Sequence, residues 1–103
     1  MTLLGASEIR ELAAKLNLNP SKGLGQNFVI DGNVCQRIVR QVQITSEDVA
    51  LEIGPGLGSL TLAILESGAP LIAIEIDERL AKQLPITVAA HNPGADLMVI
   101  NQD

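Results

Sequence analysis

The sequence predicts an α/β fold, the first half of a doubly wound parallel sheet. Three short apolar runs, Val49–Ile53, Leu71–Ile76 and Leu97–Ile100, alternate with segments of helical periodicity. Strands this apolar are typical of a parallel sheet that helices cover on both faces. Right-handed crossovers then place the second strand beside the first, and the third beside the second. A complete domain of this type needs roughly three or four more strands.

Two helices are predicted before the first strand. Ser7–Leu16 has apolar residues at helical spacing, with Ser7 as a candidate N-cap. The stretch 17–33 is rich in Gly, Asn and Pro, which predicts a loop. The second helix then begins at a cap provided by Asp31 or Asn33. Its apolar residues share one face: Val34, Ile38 and Val42.

The glycine turn Gly54–Gly58 separates the first strand from a helix predicted over Leu57–Glu66. A further helix begins near Asp77. Pro85 is expected to kink this helix or to start a new turn, because proline lacks the N–H that a helix needs. His91 is expected at the end of the helix, facing solvent.

Composition and charge narrow the class of protein. Hydrophobic residues make up 47% and charged residues 18% of the 103 residues, which is typical of a globular domain. A net charge of −5 makes this chain alone a poor nucleic-acid binder. Cys35 cannot form an internal disulfide and is expected to be a small apolar filler. No metal-ligand pattern stands out. The sequence also has no apolar run of membrane length and no basic signal-peptide region, which favours a cytoplasmic location.

The glycine-rich stretch Leu51–Thr61, "LEIGPGLGSLT", is the strongest candidate for a ligand site. Ligands of such sheets bind beyond the carboxyl ends of the strands, next to helix N-termini. No lysine follows the glycines, so the phosphate-binding loop of ATPases is excluded. The spacing G-x-G-x-G departs from the dinucleotide fingerprint, but Ser59 is small enough for the third position. Spacing alone therefore leaves NAD open, and a plain turn without a ligand is the other alternative.

Acidic residues at the predicted strand ends favour a cationic nucleoside ligand. Glu52 is placed to help hold an amino-acid ammonium. Glu75 follows Gly54 by 21 residues, the position of a carboxylate that accepts both ribose hydroxyls. Asp103 ends the third strand, where an acid can accept a hydrogen bond from an adenine amine. This acidic set suits S-adenosylmethionine better than a dinucleotide, which carries two negative charges.

Two motifs resemble one family. "EIGPGLGSLT" is similar to the first cofactor motif of the small-subunit ribosomal RNA adenine N6,N6-dimethyltransferases, which are class I methyltransferases with a Rossmann-like sheet. The more specific motif is "SKGLGQNFVID", Ser21–Asp31, which closely resembles the family's N-terminal signature K-x-x-G-Q-N-F-L-x-D. With "AIEID" at Ala73–Asp77 and "VINQD" at Val99–Asp103, the resemblance covers about residues 15 to 103.

The resemblance implies a reaction and a cofactor. S-adenosylmethionine would donate two methyl groups to the exocyclic N6 of each of two adjacent adenosines near the 3′ end of 16S rRNA. The full-length enzyme would act on the immature 30S subunit. The turn and the resemblance together give the candidate cofactor-binding residues: Asn27, Val29, Glu52, Gly54, Gly56, Glu75, Ile76 and Asp103.

Several of these roles come only from the resemblance. It implies that Asn27 and Val29 line the methionine side of the cofactor. It implies that Gly54 lets the methionine backbone approach, and that Ile76 packs on the adenine. No metal ligand is implied.

The chain departs from the family pattern in what it lacks. The Asn-Leu-Pro-Tyr/Phe motif that grips the target adenine is not among its residues, so no catalytic residue is assigned. We interpret it as an N-terminal fragment, inactive alone, with N-terminal helices and the GQNF loop in residues 1–46 and half of the cofactor domain in 47–103. The first strand would have a bare edge that invites self-association. An oxidoreductase fragment and a non-catalytic scaffold are the alternative interpretations.

Overall fold

The structure, a computed structural model, describes residues 2–18 and 31–103. These residues form a three-stranded parallel sheet with flanking helices. The elements are, in chain order, α1 (Ala6–Lys15), α2 (Gly32–Val42), β1 (Ala50–Ile53), α3 (Ser59–Glu66), β2 (Leu71–Glu75), α4 (Glu78–His91) and β3 (Leu97–Asn101). The strand order is β1-β2-β3, with both pairs parallel. The predicted strand order is confirmed.

The helix caps agree in part with those predicted from the sequence. Asp31 is the N-cap of α2, and its carboxylate accepts a hydrogen bond from the N–H of Asn33 at 2.8 Å. Asp77 caps α4 in the same way. The prediction that Ser7 caps α1 is wrong. Helix α1 already begins at Ala6 after an extended Gly5, so Ser7 lies inside the first turn, and no side chain caps this helix.

One helix boundary depends on special backbone conformations. Helix α3 begins at Ser59 rather than Leu57, because Gly54, Gly56 and Gly58 all have positive φ and the turn extends to residue 58. Helix α4 continues through Pro85 without interruption.

The sheet is covered by the described helices on one face, not on both. Side chains that pair across parallel strands share a face, and the buried set includes Leu71 and Ala73. These two pack in the core with residues of all four helices. Leu51, Ile53 and Met98 project from the other face and are exposed. Two successive right-handed crossovers in one direction put α3 and α4 on the same side, which explains the difference from the expectation.

Helix α2 packs on α3 through Cys35 and Val39, which are buried in the core. Cys35 is therefore the apolar filler that the sequence predicts. The predicted apolar face of α2, which begins at Val34, is instead partly to largely exposed. The predicted boundary between residues 46 and 47 lies between α2 and β1, and the single core draws residues from both sides of it.

His91 joins the C-terminal end of α4 to the N-terminal segment. Its Nε2 lies 2.8 Å from a carboxylate oxygen of Glu8 in α1, and its Nδ1 is hydrogen-bonded to the hydroxyl of Thr2. The N–H of Thr2 donates in turn to the carbonyl of His91 at 3.0 Å. The prediction that His91 faces solvent is wrong, because the N-terminal segment covers this end of α4.

Gly58 is required for two separable reasons, which gives a test of the turn. Its φ is +105°, and a Cβ there would lie 2.8 Å from Cδ1 of the buried Leu84. Gly94 also has positive φ, +83°, but a Cβ there meets nothing within 4 Å. We expect Gly58→Ala to lower the free energy of unfolding by about 3 kcal/mol, and Gly94→Ala by about 1 kcal/mol. Urea denaturation measures both, and equal losses would contradict a packing role for Gly58.

Candidate functional site

The carboxyl ends of the three strands meet at one edge of the sheet, as parallel pairing requires. Glu52 lies in β1, Glu75 is the last residue of β2, and Asp103 lies two residues beyond β3. Asp103 is exposed. Asn27 and Val29 are outside the described residues, so their predicted roles stay predictions.

The glycine turn leaves open space beside its backbone. Gly54 and Gly56 have φ of +69° and +61°, which disfavours side chains at both positions. Among the described residues, a Cβ built on Gly54 would meet nothing within 4 Å, so these residues leave this part of the turn open. A ligand is therefore able to approach the backbone at Gly54 more closely than it could at a residue with a side chain.

Glu75 lies beneath this turn. Its Oε1 accepts a hydrogen bond from the N–H of Gly56 at 3.2 Å, and its Oε2 accepts one from the N–H of Asp77 at 3.0 Å. The residue is 4% exposed. A carboxylate oxygen has two lone pairs, so each oxygen keeps one site for a further donor.

Glu52 points to the helix-covered side of the sheet and is 9% exposed. Its Oε1 accepts a hydrogen bond of 2.6 Å from the hydroxyl of Thr61 in α3. Burial raises the pKa of Glu52, the Thr61 hydroxyl acts against that shift, and the charge of Glu75 adds to it. Burial also raises the pKa of the Cys35 thiol, and the nearby Glu52 carboxylate contributes.

Asn101 is a residue that the sequence analysis missed. Its side-chain amide donates to the carbonyls of Glu75 and Ile76, at 2.8 and 3.1 Å. The N–H of Gln102 also donates to the Glu75 carbonyl, at 3.1 Å. These bonds fix the end of β2 against the end of β3, while the side chain of Ile76 stays exposed beside them. The only sequence signal was the position of Asn101 within "VINQD".

Arg79 was missed as well. Its guanidinium donates to both carboxylate oxygens of Asp77 and to the carbonyls of Leu16 and Asn17 after α1. The hydrogen bond from Arg79 lowers the pKa of Asp77. The start of α4 is thereby tied to the end of α1. A charged residue two positions after a cap is common on helices, so this long-range contact had no signal in the sequence.

A concavity lies at the other end of the sheet from the strand-end residues. It has a volume of about 550 Å³ and lies between the C-terminal turns of α2 and α3, with Arg40, Gln43 and Glu66 among its lining residues. It shares no residue with the strand-end site. Within residues 2–18 and 31–103, no helix has the length and apolarity to cross a membrane, and no three potential metal ligands cluster.

The family is decided by a match over most of the chain. The model of the family described as ribosomal RNA adenine dimethylase matches residues 17–103. The chain belongs to this family. The resemblance drawn from the glycine turn and the GQNF motif is therefore confirmed.

A curated relative and two solved structures agree with this assignment. Ribosomal RNA small subunit methyltransferase A of Corynebacterium jeikeium is 55% identical over 102 residues, which cover 98% of this chain and 32% of the relative. The 23S rRNA methyltransferase ErmE matches with a TM-score of 0.61 and 31% identity over 72% of this chain and 29% of its own. A dimethyladenosine transferase from Plasmodium falciparum matches with a TM-score of 0.61 and 29% identity over 71% of this chain and 26% of its own.

These matches confirm the fold class as half of a class I methyltransferase sheet. The chain spans about a third of the length of the curated relative from C. jeikeium. Family membership is therefore a finding about this chain, whereas the activity of a whole enzyme is a proposal.

The raised pKa of Glu52 predicts how the free energy of unfolding depends on pH. A carboxyl whose pKa is raised by folding releases its proton at higher pH in the folded state than in the unfolded chain. The free energy of unfolding then falls as the pH rises above the ordinary glutamate pKa. We expect wild type to lose more stability than Glu52→Gln between pH 5 and pH 8, by about 1.4 kcal/mol for each unit of the shift.

Urea denaturation at a series of pH values measures this difference. Asp77 acts with the opposite sign and at lower pH, because its lowered pKa stabilises the fold only while it is ionised. Both proteins contain Asp77, so its effect cancels in the comparison. Parallel pH curves for the two proteins would show that Glu52 does not titrate abnormally.

Proposed function

We propose that this chain provides the S-adenosylmethionine-binding half of a small-subunit rRNA adenine N6,N6-dimethyltransferase. The reaction is dimethylation of two adjacent adenosines near the 3′ end of 16S rRNA, in the cytoplasm, on the immature 30S subunit. The observation that carries this proposal is the glycine turn held against Glu75 at the strand ends, in a member of the rRNA adenine dimethylase family. The names of the relatives support the RNA substrate.

The residues at the strand ends fit this cofactor. The open backbone at Gly54 accommodates the methionine portion, and the carboxylate of Glu52 attracts its ammonium. The free lone pairs of Glu75 suit two ribose hydroxyls, one for each oxygen. Ile76 offers an exposed apolar side chain for the adenine face. The bound cofactor supplies a methyl group on a sulfonium, and the residues described here bind and orient it.

Binding requires a local movement at Glu75. The carboxylate is 4% exposed, and the N–H of Gly56 covers one of its oxygens at 3.2 Å. The hydrogen bond from Asp77 is shorter, at 3.0 Å, and belongs to the start of α4. We infer that the ribose gains access by moving the Gly56 side of this pair. Asp103, Asn27 and Val29 complete the proposed site, at the adenine amine and the methionine respectively.

A binding experiment tests the cofactor. We expect S-adenosylhomocysteine to shift amide NMR signals at Gly54, Gly56, Ile76 and Asp103. The largest shift is expected at Gly56, because its N–H lies against the Glu75 oxygen that the ribose approaches. NADH is the control, since its pyrophosphate would lie against Glu52 and Glu75. Shifts with NADH alone would contradict the proposal and favour an oxidoreductase, and shifts with neither ligand would favour a scaffold.

We also propose that the chain self-associates through β1. The N–H groups of Ala50 and Gly54 donate to carbonyls at Pro70 and Ile74 on the β2 side. In a parallel strand, alternate residues point to opposite sides, so the backbone groups of Leu51 and Ile53 face away from β2. Among the described residues no strand covers that edge. An open edge with exposed apolar side chains favours pairing with another chain.

One substitution with a matched control tests this association. Leu51 on β1 is 63% exposed, and Ile86 on α4 is 59% exposed. We expect Leu51→Lys to abolish the concentration dependence of the sedimentation coefficient, because a charge on an edge strand opposes pairing. Ile86→Lys makes the same change in charge and should leave the association intact. A monodisperse wild-type monomer would overturn the proposal.

A further inference from the structure

Thr61 makes a contact that reaches beyond its own helix. It is the third residue of α3, and a threonine hydroxyl in a helix can bond to a carbonyl of the preceding turn. Here the hydroxyl instead donates to Oε1 of Glu52 at 2.6 Å, a length typical of a bond to a charged oxygen. Thr61 is 0% exposed. Within residues 2–18 and 31–103, Thr61 is the one group that hydrogen-bonds this carboxylate.

The surroundings of Glu52 otherwise disfavour its charge. Among the described residues, the titratable groups that face it are Glu75 of β2 and Cys35 of α2. Neither supplies a positive charge. Burial raises the pKa of Glu52, and the Thr61 hydroxyl opposes that shift. The hydroxyl therefore favours the ionised carboxylate, and it fixes the position of one oxygen.

We propose that Thr61 is a positioning residue for the cofactor, which holds the Glu52 carboxylate oriented toward the ammonium of the methionine portion. The inference rests on the proposed function, and it adds a residue that touches neither the cofactor nor the RNA. The glycine turn lies between Glu52 and Thr61 in the sequence. The contact thus closes the base of that turn as well as fixing the carboxylate.

The test compares two ligands that differ only near Glu52. S-adenosylhomocysteine carries the ammonium, whereas 5′-methylthioadenosine keeps the adenosine and the thioether but lacks the amino-acid group. Thr61→Val removes the donor at nearly constant volume. We expect it to weaken S-adenosylhomocysteine binding about tenfold and to leave methylthioadenosine binding unchanged within about twofold. Calorimetric titration of the 103-residue chain measures both.

Two further variants separate positioning from packing. Thr61→Ser keeps the hydroxyl and should restore S-adenosylhomocysteine affinity to within about threefold of wild type. In a Glu52→Gln background, Thr61→Val should add less than about a twofold loss, because its partner charge is already gone. Equal losses for both ligands, or full additivity of the two substitutions, would mean that Thr61 only packs.

If Thr61→Val does not fold, the wild-type protein still tests the charge of Glu52, on which the inference depends. The ratio of the two affinities, S-adenosylhomocysteine over methylthioadenosine, should fall as the pH falls through the raised pKa of Glu52. A ratio that stays flat from pH 8 down to the ordinary glutamate pKa overturns the inference. If methylthioadenosine binds as tightly as S-adenosylhomocysteine, the nucleoside site is supported and only the inference about Thr61 is overturned. Binding of neither ligand removes the proposed function together with it.

Discussion

Glu75 connects the ends of all three strands. Its carboxylate accepts hydrogen bonds from the turn after β1 and from the turn after β2, through Gly56 and Asp77. Its backbone carbonyl accepts two more from the end of β3, through Asn101 and Gln102. Removing the carboxylate would leave two N–H donors without partners and loosen both turns. The proposed ribose site therefore uses the same group that holds the strand ends together.

A second carboxylate lies nearby at a cost to stability. Glu52 is buried, Glu75 is close enough to raise its pKa, and one hydroxyl compensates. A fold that needed only stability would replace Glu52 with an apolar residue. A ligand with an ammonium would supply the missing positive charge, so the unfavourable site in the free protein becomes a favourable one when the cofactor binds. Such a trade-off between stability and ligand binding is common at binding sites.

Local pattern was enough to predict the strands, the order of the sheet and the glycine turn. The apolar runs and the glycines act over a few residues, and right-handed connections then fix the order. Long-range contacts were not predictable. The partners of His91, Arg79 and Asn101 lie 83, 63 and 26 residues away. The expectation of helices on both faces failed for a different reason, since the described chain contains only the crossovers that fall on one side.

Charge separates the two tasks that an rRNA methyltransferase must perform. A net charge of −5 and two buried acids at the strand ends favour a cationic cofactor and disfavour phosphates. RNA binding depends on the opposite charge, because lysine and arginine release the counterions of the phosphate backbone. If both tasks shared one surface, each would weaken the other. Under the proposed function, the acidic balance of this chain favours the cofactor-binding task, and the RNA would be held by a basic surface apart from these strand ends.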